Sequence, residues 1–343
     1  MTSALRSRSV WVAAALAALA AGCGDQSPEA KAGSGPTGAE ATPITHAGVS
    51  LAEPAPGAAF PPVATVVDAT GTTVTVASIE RIVAVNGDLL EVVFALGFGE
   101  QVVARDISGT YPPQAEALPS VGYQRTLPAE PIAALDPTLV LATAEAGPPE
   151  TIDALRALGI PLVVVDAPET LDGPAEKVRA VAMALGASDA GEALATEVDA
   201  AIGVAIDRAG AAEGRPRAVA LYLRGERVQL VFGPGSRMST LLEAAGAHDL
   251  GADLGVSDTQ PINLEALLAE APDAIVVTTS GLASVGGVEG LLGLGGGVLA
   301  RTPAGQAGRL LAYPDQLLLG FGPRTGEVLD RLVTDLHRQG GTP

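Results

Sequence analysis

The sequence predicts an α/β protein made of two Rossmann-like lobes that are joined by one long helix. Short apolar segments, of which residues 81–85 are the first, alternate with segments of helical length. This alternation is typical of parallel strands that are covered by helices on both faces. It occurs twice along the chain, and a helical stretch from about residue 169 to 185 separates the two runs. The sequence therefore predicts a cleft between two lobes.

Turn residues separate the predicted elements of the first lobe. A hairpin opens it, with strands at 63–67 and 74–77 around a turn at 68–72. Strands follow at 81–85, 101–105, 138–142 and 161–165, and helices at 88–96 and 149–158. Gly97 and Gly159 come directly after the two helices, as glycine commonly does at a helix C-terminus.

The second lobe shows a similar alternation after a further helix at 190–209. Strands are predicted at 218–223, 274–278 and 310–312, and helices at 238–245, 264–270 and 326–336. The glycine-rich segment 286–297 lacks the Gly-Lys-Ser/Thr of a phosphate-binding loop. It is predicted to be a flexible loop near the cleft.

Length and charge restrict the class of protein. The chain has 343 residues, of which 48% are hydrophobic, enough for two domains with a buried core each. Its formal net charge of -19 argues against a nucleic-acid partner and against a basic contact with a membrane surface, because both need a positive surface.

The N-terminus has the features of an export signal. An apolar run from Val10 to Ala21 follows two arginines and is too short to span a bilayer as a mature helix. It ends at Cys23, the single cysteine of the chain, and residues 19–23 (LAAGC) resemble a lipobox with Leu one place earlier than is usual. We expect Cys23 to be acylated and to anchor the protein outside the cell membrane; the alternative is an ordinary signal peptide with an incidental cysteine.

The predicted domain division has five parts. Residues 1–23 form the signal peptide, and residues 24–62, rich in Gly, Ala, Pro, Ser and Thr, form a disordered tether. The first lobe covers residues 63–167, the interlobe helix 168–187 and the second lobe 188–340.

One short pattern is repeated in the two lobes. Residues 130–140 match residues 265–275 without a gap: Glu130 and Glu265 each head a short helix, a proline follows at the same interval, and an apolar strand comes next. The self-similarity indicates that one unit is used twice. Each Glu is also favourably placed at a helix N-terminus.

Each lobe also contains a Tyr-x-Arg motif, formed by Tyr123 and Arg125 in the first and by Tyr222 and Arg224 in the second. In an extended segment, residues two apart project from the same side. A phenolate is a ligand of ferric haem iron, and a neighbouring Arg either favours the charged form of a phenol, whose ordinary pKa is about 10, or pairs with a carboxylate of the ligand. A single copy would fit a surface Tyr with a solvated Arg, but two copies in a chain with four tyrosines favour a binding site.

Five longer segments are more distinctive. They are Arg81-Ile-Val-Ala-Val-Asn-Gly-Asp-Leu-Leu-Glu91, Thr110-Tyr-Pro-Pro113, Leu118-Pro-Ser-Val-Gly-Tyr-Gln-Arg125, Ala146-Gly-Pro-Pro149 and Leu319-Gly-Phe-Gly-Pro-Arg324. Together they resemble the haem-binding lipoproteins of bacterial ABC importers, within the single-helix-hinged class (class III) of substrate-binding proteins. The resemblance extends from about Thr65 to Leu336. It implies ferric haem as the transported ligand, the permease and ATPase of an importer as partners, and a monomeric protein.

The resemblance also implies roles for individual residues. Tyr123 stands at the position of an axial haem ligand, and Tyr222 resembles the ligand of members that bind iron from both sides. Arg125 and Arg224 are implied as supports of the two tyrosines. Glu130 and Glu265 match the acidic residues that similar proteins present to Arg pockets of the permease, one per lobe.

Two alternatives stay open from the sequence. A ferric-siderophore or corrinoid (vitamin B12) binding protein would share the fold, the anchor and both glutamates, whereas the Tyr-x-Arg motifs favour haem. A metal-dependent surface enzyme would need a cluster of His, Asp or Glu, which three scattered histidines do not predict. We therefore expect a binding protein and not an enzyme, with Tyr111 and Tyr313 structural and His248 the next ligand to consider.

Overall fold

The computed structural model describes residues 64–166 and 169–338. Cys23, the predicted signal peptide at 1–23 and the predicted tether at 24–62 lie outside the described residues. Within the described part of the chain, no helix has both the length and the apolar character needed to cross a bilayer.

A β-hairpin precedes the first sheet, as the sequence predicts. Strands β1 (Ala64–Val67) and β2 (Thr73–Val76) pair antiparallel. The carboxylate of Asp68 accepts hydrogen bonds from the backbone of Thr70 and Thr72 in the turn, and it pairs with Arg156 of the first lobe at 2.7 Å. The turn is therefore tied to the lobe by a mostly buried ion pair.

The first lobe is built on a parallel four-stranded sheet of order β4-β3-β5-β6. Every residue of the two central strands is buried, because helices cover both faces. Short 3-10 turns lie in the connections at Gly99–Gln101, Pro113–Ala117 and Gln124–Thr126. In chain order the elements are β3 (Ile82–Val85), α1 (Gly87–Ala95), β4 (Val102–Arg105), α2 (Ala129–Ala133), β5 (Leu139–Thr143), α3 (Pro149–Ala157) and β6 (Leu162–Val165).

Two consecutive helices follow the first sheet. Helix α4 (Gly173–Ala184) contacts α1, β1 and β6, and helix α5 (Ser188–Ala211) packs along α4. The predicted interlobe helix at 168–187 contains α4, while residues 167 and 168 lie outside the described part. The division into domains stays a prediction.

The second lobe contains a mixed sheet of order β10-β8-β7-β11-β12, with β9 beside the start of β7. Its strands are β7 (Arg217–Arg224), β8 (Val228–Phe232), β9 (His248–Asp249), β10 (Thr259–Pro261), β11 (Ala274–Thr278) and β12 (Leu310–Tyr313). Strands β7, β11 and β12 run parallel, whereas β8 and β10 are antiparallel. The second sheet therefore has a parallel centre and an antiparallel edge.

The helices of the second lobe lie between and after these strands. They are α6 (Arg237–Ala244), α7 (Leu250–Asp253), α8 (Leu264–Glu270), α9 (Thr279–Ser284), α10 (Gly287–Gly297), α11 (Pro303–Gln306), α12 (Asp315–Leu319) and α13 (Thr325–Leu336), and a 3-10 turn spans Leu299–Arg301. Helix α13 packs closely on α5, where a Cβ at Gly326 would lie 2.6 Å from that of Ala201. The prediction of a loop at 286–297 is wrong, since this segment is α10 with a break at residues 294–296.

Three apolar clusters hold the molecule together. Alternate residues of the first sheet face two clusters: Val83 and Val140 point into one, and Ile82 and Leu139 into the other. The second cluster continues through α1, α4, α5 and α13 to the inner face of the second sheet. A third cluster covers the outer face of that sheet. The two lobes therefore share one core between them.

Candidate functional site

Tyr123 lies at the edge of the first sheet, just beyond its carboxyl end. Residues 119–122 run beside β4 and extend the sheet: Val121 donates a backbone hydrogen bond to Arg105, and Ile107 donates one to Gly122 at 2.9 Å. The side chains of Ile107 and Tyr123 are among the few large apolar ones that are exposed. This edge therefore presents apolar surface at the end of the strands where open α/β sheets bind ligands.

Arg125 pairs with Glu145, a residue that follows strand β5. The guanidinium Nη2 lies 2.9 Å from Glu145 Oε2, and both side chains are about half exposed. An exposed ion pair of this kind contributes about 0 to 1 kcal/mol, because solvent screens it.

The expected geometry of the first Tyr-x-Arg motif is wrong. Residues 124–126 form a 3-10 turn, closed by a hydrogen bond from the Thr126 amide to the Tyr123 carbonyl. A 3-10 helix has three residues per turn, so residues two apart do not share a side as they do in a strand.

The second Tyr-x-Arg motif has the expected extended geometry. Tyr222 and Arg224 lie on β7, and the guanidinium carbon of Arg224 is 4.4 Å from the centroid of the Tyr222 ring. The ring of Phe232, on the antiparallel strand β8, forms a T-shaped contact with the Tyr222 ring, with centroids 6.2 Å apart. The phenol ring therefore has a cation and an aromatic ring as neighbours.

Two acceptors fix the guanidinium of Arg224. Its Nη1 donates to the carbonyl of Leu223 at 2.8 Å, and its Nη2 donates to Oδ1 of Asp315 at 2.9 Å. Asp315 is the first residue of α12, and it also accepts hydrogen bonds from Ser280. Sequence reasoning missed Asp315 because it lies far from Arg224 along the chain.

The repeated glutamates occupy matching places in the two lobes. Glu130 is exposed in the first turn of α2, which precedes β5, and Glu265 is exposed in the first turn of α8, which precedes β11. The helix-then-strand repeat predicted from the sequence is therefore confirmed.

Tyr111 and Tyr313 occupy buried positions with partners of their own. The ring of Tyr111 lies under the guanidinium of Arg324, 3.5 Å from its carbon, and burial raises the pKa of this phenol. Burial also raises the pKa of Tyr313, whose hydroxyl donates to Asp335 at 2.9 Å. Both phenols therefore stay protonated at neutral pH.

The histidine considered as a further ligand has a carboxylate partner. His248 lies on β9, beside the start of β7, and its Nε2 is 2.7 Å from Asp253 Oδ2. In the ranges 64–166 and 169–338, no group of three or more His, Cys, Asp or Glu side chains is arranged to hold a metal ion.

A buried polar network joins α1 of the first lobe to the end of the second. Glu91 makes a bidentate ion pair with Arg324, with both N–O distances 2.9 Å. Gln316 donates to Glu91 and to the Gly87 carbonyl, while its Oε1 accepts from the amides of residues 110 and 111. This network links the two lobes through buried, charge-assisted hydrogen bonds.

A second buried ion pair lies beside this network. Lys177 of α4 pairs with Asp88 of α1, and it donates to the carbonyls of Gly320 and Phe321 at 2.8 Å each. Close by, burial raises the pKa of Glu327, whose two carboxylate oxygens accept no hydrogen bond among the described residues. Neither ion pair follows from spacing, since the partners are far apart in sequence.

Comparison with solved structures gives strong matches. The haem-binding protein RhuT from Roseiflexus sp. RS-1 is 46% identical, with a TM-score of 0.73 over 76% of this chain and 98% of that chain. The haem-binding protein HmuT is 33% identical, with a TM-score of 0.74 over 87% of this chain and 94% of that one. HmuT has also been solved with single substitutions of a histidine and of a tyrosine and an arginine two positions apart.

Relatives found by sequence include proteins that bind a different tetrapyrrole. A cobalamin-binding protein from Halobacterium salinarum is 29% identical over 277 residues, which are 79% of this chain and 73% of that protein. Residues 82–317 also match the profile of the family described as periplasmic binding protein. Its members are substrate-binding transport proteins, and the two-lobed α/β fold is that of the structural neighbours. On this match and on its fold, the chain belongs to the periplasmic binding protein family.

Proposed function

We propose that this protein is the extracytoplasmic substrate-binding protein of an ABC importer, that it binds ferric haem, and that it is not an enzyme. The observation that carries the proposal is the contact between Arg224 and the ring of Tyr222. The pair lies at the carboxyl end of β7, where open α/β sheets bind ligands. The same Tyr-x-Arg spacing is found in HmuT, and three haem-binding structures are 33% or more identical to this chain.

The chemistry of the two motifs suits ferric haem. Haem iron offers one axial position on each face, and phenolate oxygen is one of its ligands. We assign Tyr123 and Tyr222 as axial ligands from the first and second lobe. Arg224 lies on the ring of Tyr222, where its positive charge favours the anionic form of the phenol. We assign Arg125 as the corresponding support in the first lobe.

The second candidate ligand is a corrinoid, and it is favoured by the cobalamin-binding relative. A corrinoid cobalt takes nitrogen or carbon axial ligands more readily than a phenolate, so the two Tyr-x-Arg motifs do not suit it as well as they suit haem. Titration of the protein with haem and with cyanocobalamin compares the two candidates directly.

The visible spectrum of the full-length protein with ferric haem tests the proposal. We expect a phenolate-to-iron charge-transfer band, and we expect the double variant Tyr123→Ala/Tyr222→Ala to lose it together with most of the affinity. The matched control is Tyr111→Phe/Tyr313→Phe, which removes the two other phenols and should keep the band. A double alanine variant with the wild-type spectrum would show that another group, with His248 the first to test, holds the iron.

The partners follow from the same proposal. We assign Glu130 and Glu265 as the residues that dock the two lobes on the permease of the importer, whose ATPase completes the transporter. Both carboxylates are exposed on short helices with the same relation to the following strand, which suits contact with paired basic pockets.

We also propose that Cys23 is acylated and anchors a monomeric protein to the outer side of the cell membrane. The support is the lipobox-like sequence at residues 19–23. Cys23→Ser should release the protein from the membrane fraction and remove the mass of the lipid.

A further inference from the structure

We propose that Asp315 is a positioning residue that holds the guanidinium of Arg224 on the ring of Tyr222, and that Ser280 in turn holds Asp315. The inference rests on the proposed function of Tyr222 as a ligand of haem iron. It adds two residues to the site, neither of which belongs to a Tyr-x-Arg motif or to the repeated glutamates.

The hydrogen bonds of Arg224 determine the orientation of its guanidinium. One terminal nitrogen is bonded to the Leu223 carbonyl and the other to Asp315, and the flat guanidinium lies 4.4 Å from the centre of the Tyr222 ring. These two bonds hold the guanidinium over the phenol ring, and Arg224 therefore acts on that ring.

The carboxylate of Asp315 is itself fixed on both oxygens. Oδ1 accepts from Arg224 and from the hydroxyl of Ser280 at 2.5 Å, and Oδ2 accepts from the Ser280 amide at 3.1 Å. Ser280 lies in the first turn of α9, directly after β11, the neighbour of β7 in the sheet. Asp315 thus connects the ends of two adjacent strands, where a ligand of an open α/β sheet binds.

The repeat in the sequence supports this assignment. Glu145 follows Glu130 at the same interval at which Ser280 follows Glu265, and the strands that precede them, β5 and β11, both end on threonine. In the first lobe the residue at this position is a carboxylate and pairs with the Arg of the motif directly. In the second lobe it is a serine, and the carboxylate comes from Asp315 instead. Both lobes therefore place a carboxylate on the Arg of the motif, by different routes.

A double-mutant cycle tests the positioning role. The variants are Asp315→Ala, Arg224→Ala and the combination, each as the full chain titrated with ferric haem. We expect each single variant to weaken haem binding by roughly tenfold, the size expected for loss of a charge-assisted hydrogen bond. The combination should be no weaker than Arg224→Ala alone, because Asp315 acts only through Arg224.

The direction of the band shift separates positioning from simple charge neutralisation. A cation on the phenolate ring stabilises its negative charge and so raises the energy of charge transfer to iron. If Asp315 holds Arg224 in place, Asp315→Ala moves the band to longer wavelength, as Arg224→Ala does. If Asp315 only neutralises Arg224, its removal moves the band to shorter wavelength, and this result would overturn the inference.

Two further variants distinguish a positioning role of Asp315 from a general loss of stability. Ser280→Ala keeps the carboxylate but removes one hydrogen bond to it, and it should shift the band in the same direction by a smaller amount. Asp315→Asn keeps the shape of the side chain and should lie between wild type and Asp315→Ala. A purely structural role of Asp315 at the start of α12 would lower the thermal midpoint without moving the band, which would also contradict the inference.

The outcome of Arg224→Ala distinguishes the two proposals. If Arg224→Ala binds haem with the wild-type spectrum, the proposed role of the Tyr222–Arg224 motif fails. If Arg224→Ala shifts the band and Asp315→Ala does not, the motif stands and only the role of Asp315 fails.

Discussion

The two Tyr-x-Arg motifs have the same residues and different structures. In the second lobe, Tyr222 and Arg224 lie on a paired strand, and the guanidinium is fixed on the ring by a carbonyl and a carboxylate. In the first lobe, Tyr123 precedes a 3-10 turn, its side chain is 45% exposed, and Arg125 has one exposed partner. The same three-residue pattern thus gives one pre-arranged pair and one that is free to adjust.

The difference has a consequence for binding. A side chain that is already fixed loses little freedom when a ligand arrives, whereas an exposed side chain must be ordered at a cost of about 0.5 to 1.5 kcal/mol. We therefore expect the second lobe to contribute more of the haem affinity and the first lobe to close on the ligand by local adjustment.

The largest effect, on haem uptake, is expected for the two glutamates that occupy matching positions in the lobes. Glu130→Arg combined with Glu265→Arg should abolish haem uptake driven by the importer, because two charges that meet basic pockets are reversed. Haem affinity of the purified variant should stay close to wild type, since both side chains lie on helices outside the Tyr-x-Arg motifs. Uptake at the wild-type rate would rule out this docking surface.

The next largest effect compares the two tyrosines. Tyr222→Phe removes a phenol from the pre-arranged pair, and we expect the affinity for ferric haem to fall by at least the roughly 10- to 100-fold that follows loss of an outer partner of a metal ligand. Tyr123→Phe should cost less. Equal losses in a spectrophotometric titration would show that the pre-arrangement of the second lobe makes no difference to binding.

A smaller effect is expected for the two arginines. Arg224→Ala should weaken haem binding by roughly tenfold, and Arg125→Ala by less than about fivefold, because the exposed Arg125–Glu145 pair contributes at most about 1 kcal/mol. Measurement at two salt concentrations sharpens the contrast, since salt screens the exposed pair more strongly than the half-buried one. A larger loss for Arg125→Ala would reverse the ranking of the lobes.

The smallest effect concerns stability. Glu145→Gln removes the only ion-pair partner of Arg125 found among the described residues, yet it should change the free energy of unfolding by less than about 0.5 kcal/mol. Asp68→Asn, which breaks a largely buried pair with Arg156, is a suitable contrast and should be clearly more destabilising. Urea unfolding of both variants gives the comparison.

The sequence predicts the architecture well because its signals are local. Apolar runs locate the central strands β3, β5, β7 and β11, and Gly97, with a φ of 85°, stands where α1 ends. Strand β8 is not among the predicted strands because its continuous apolar run, residues 230–232, is only three residues long. Segment 286–297 is predicted as a loop because glycine disfavours a helix, yet most of it forms α10.

The candidate site is predicted less completely, for a physical reason. Tyr222 and Arg224 are two residues apart on a strand, so their geometry follows from spacing. Asp315 and Ser280 reach Arg224 from distant parts of the chain, and only the fold brings them there. Three of the five distinctive segments, those at 81–91, 110–113 and 319–324, meet at the buried interlobe network. Much of the sequence similarity to the haem-binding lipoproteins therefore lies in residues that join the two lobes.

The buried pair between Glu91 and Arg324 bears on how an importer could distinguish the haem-loaded protein from the empty one. Separating the lobes there would break this bidentate pair together with the hydrogen bonds that Gln316 makes to Glu91 and to residues 87, 110 and 111. We therefore expect the distance between Glu130 and Glu265 to change little between the empty and the loaded protein. An importer that docks on these two residues would then recognise the loaded protein by the cargo itself or by the side chains that close over it.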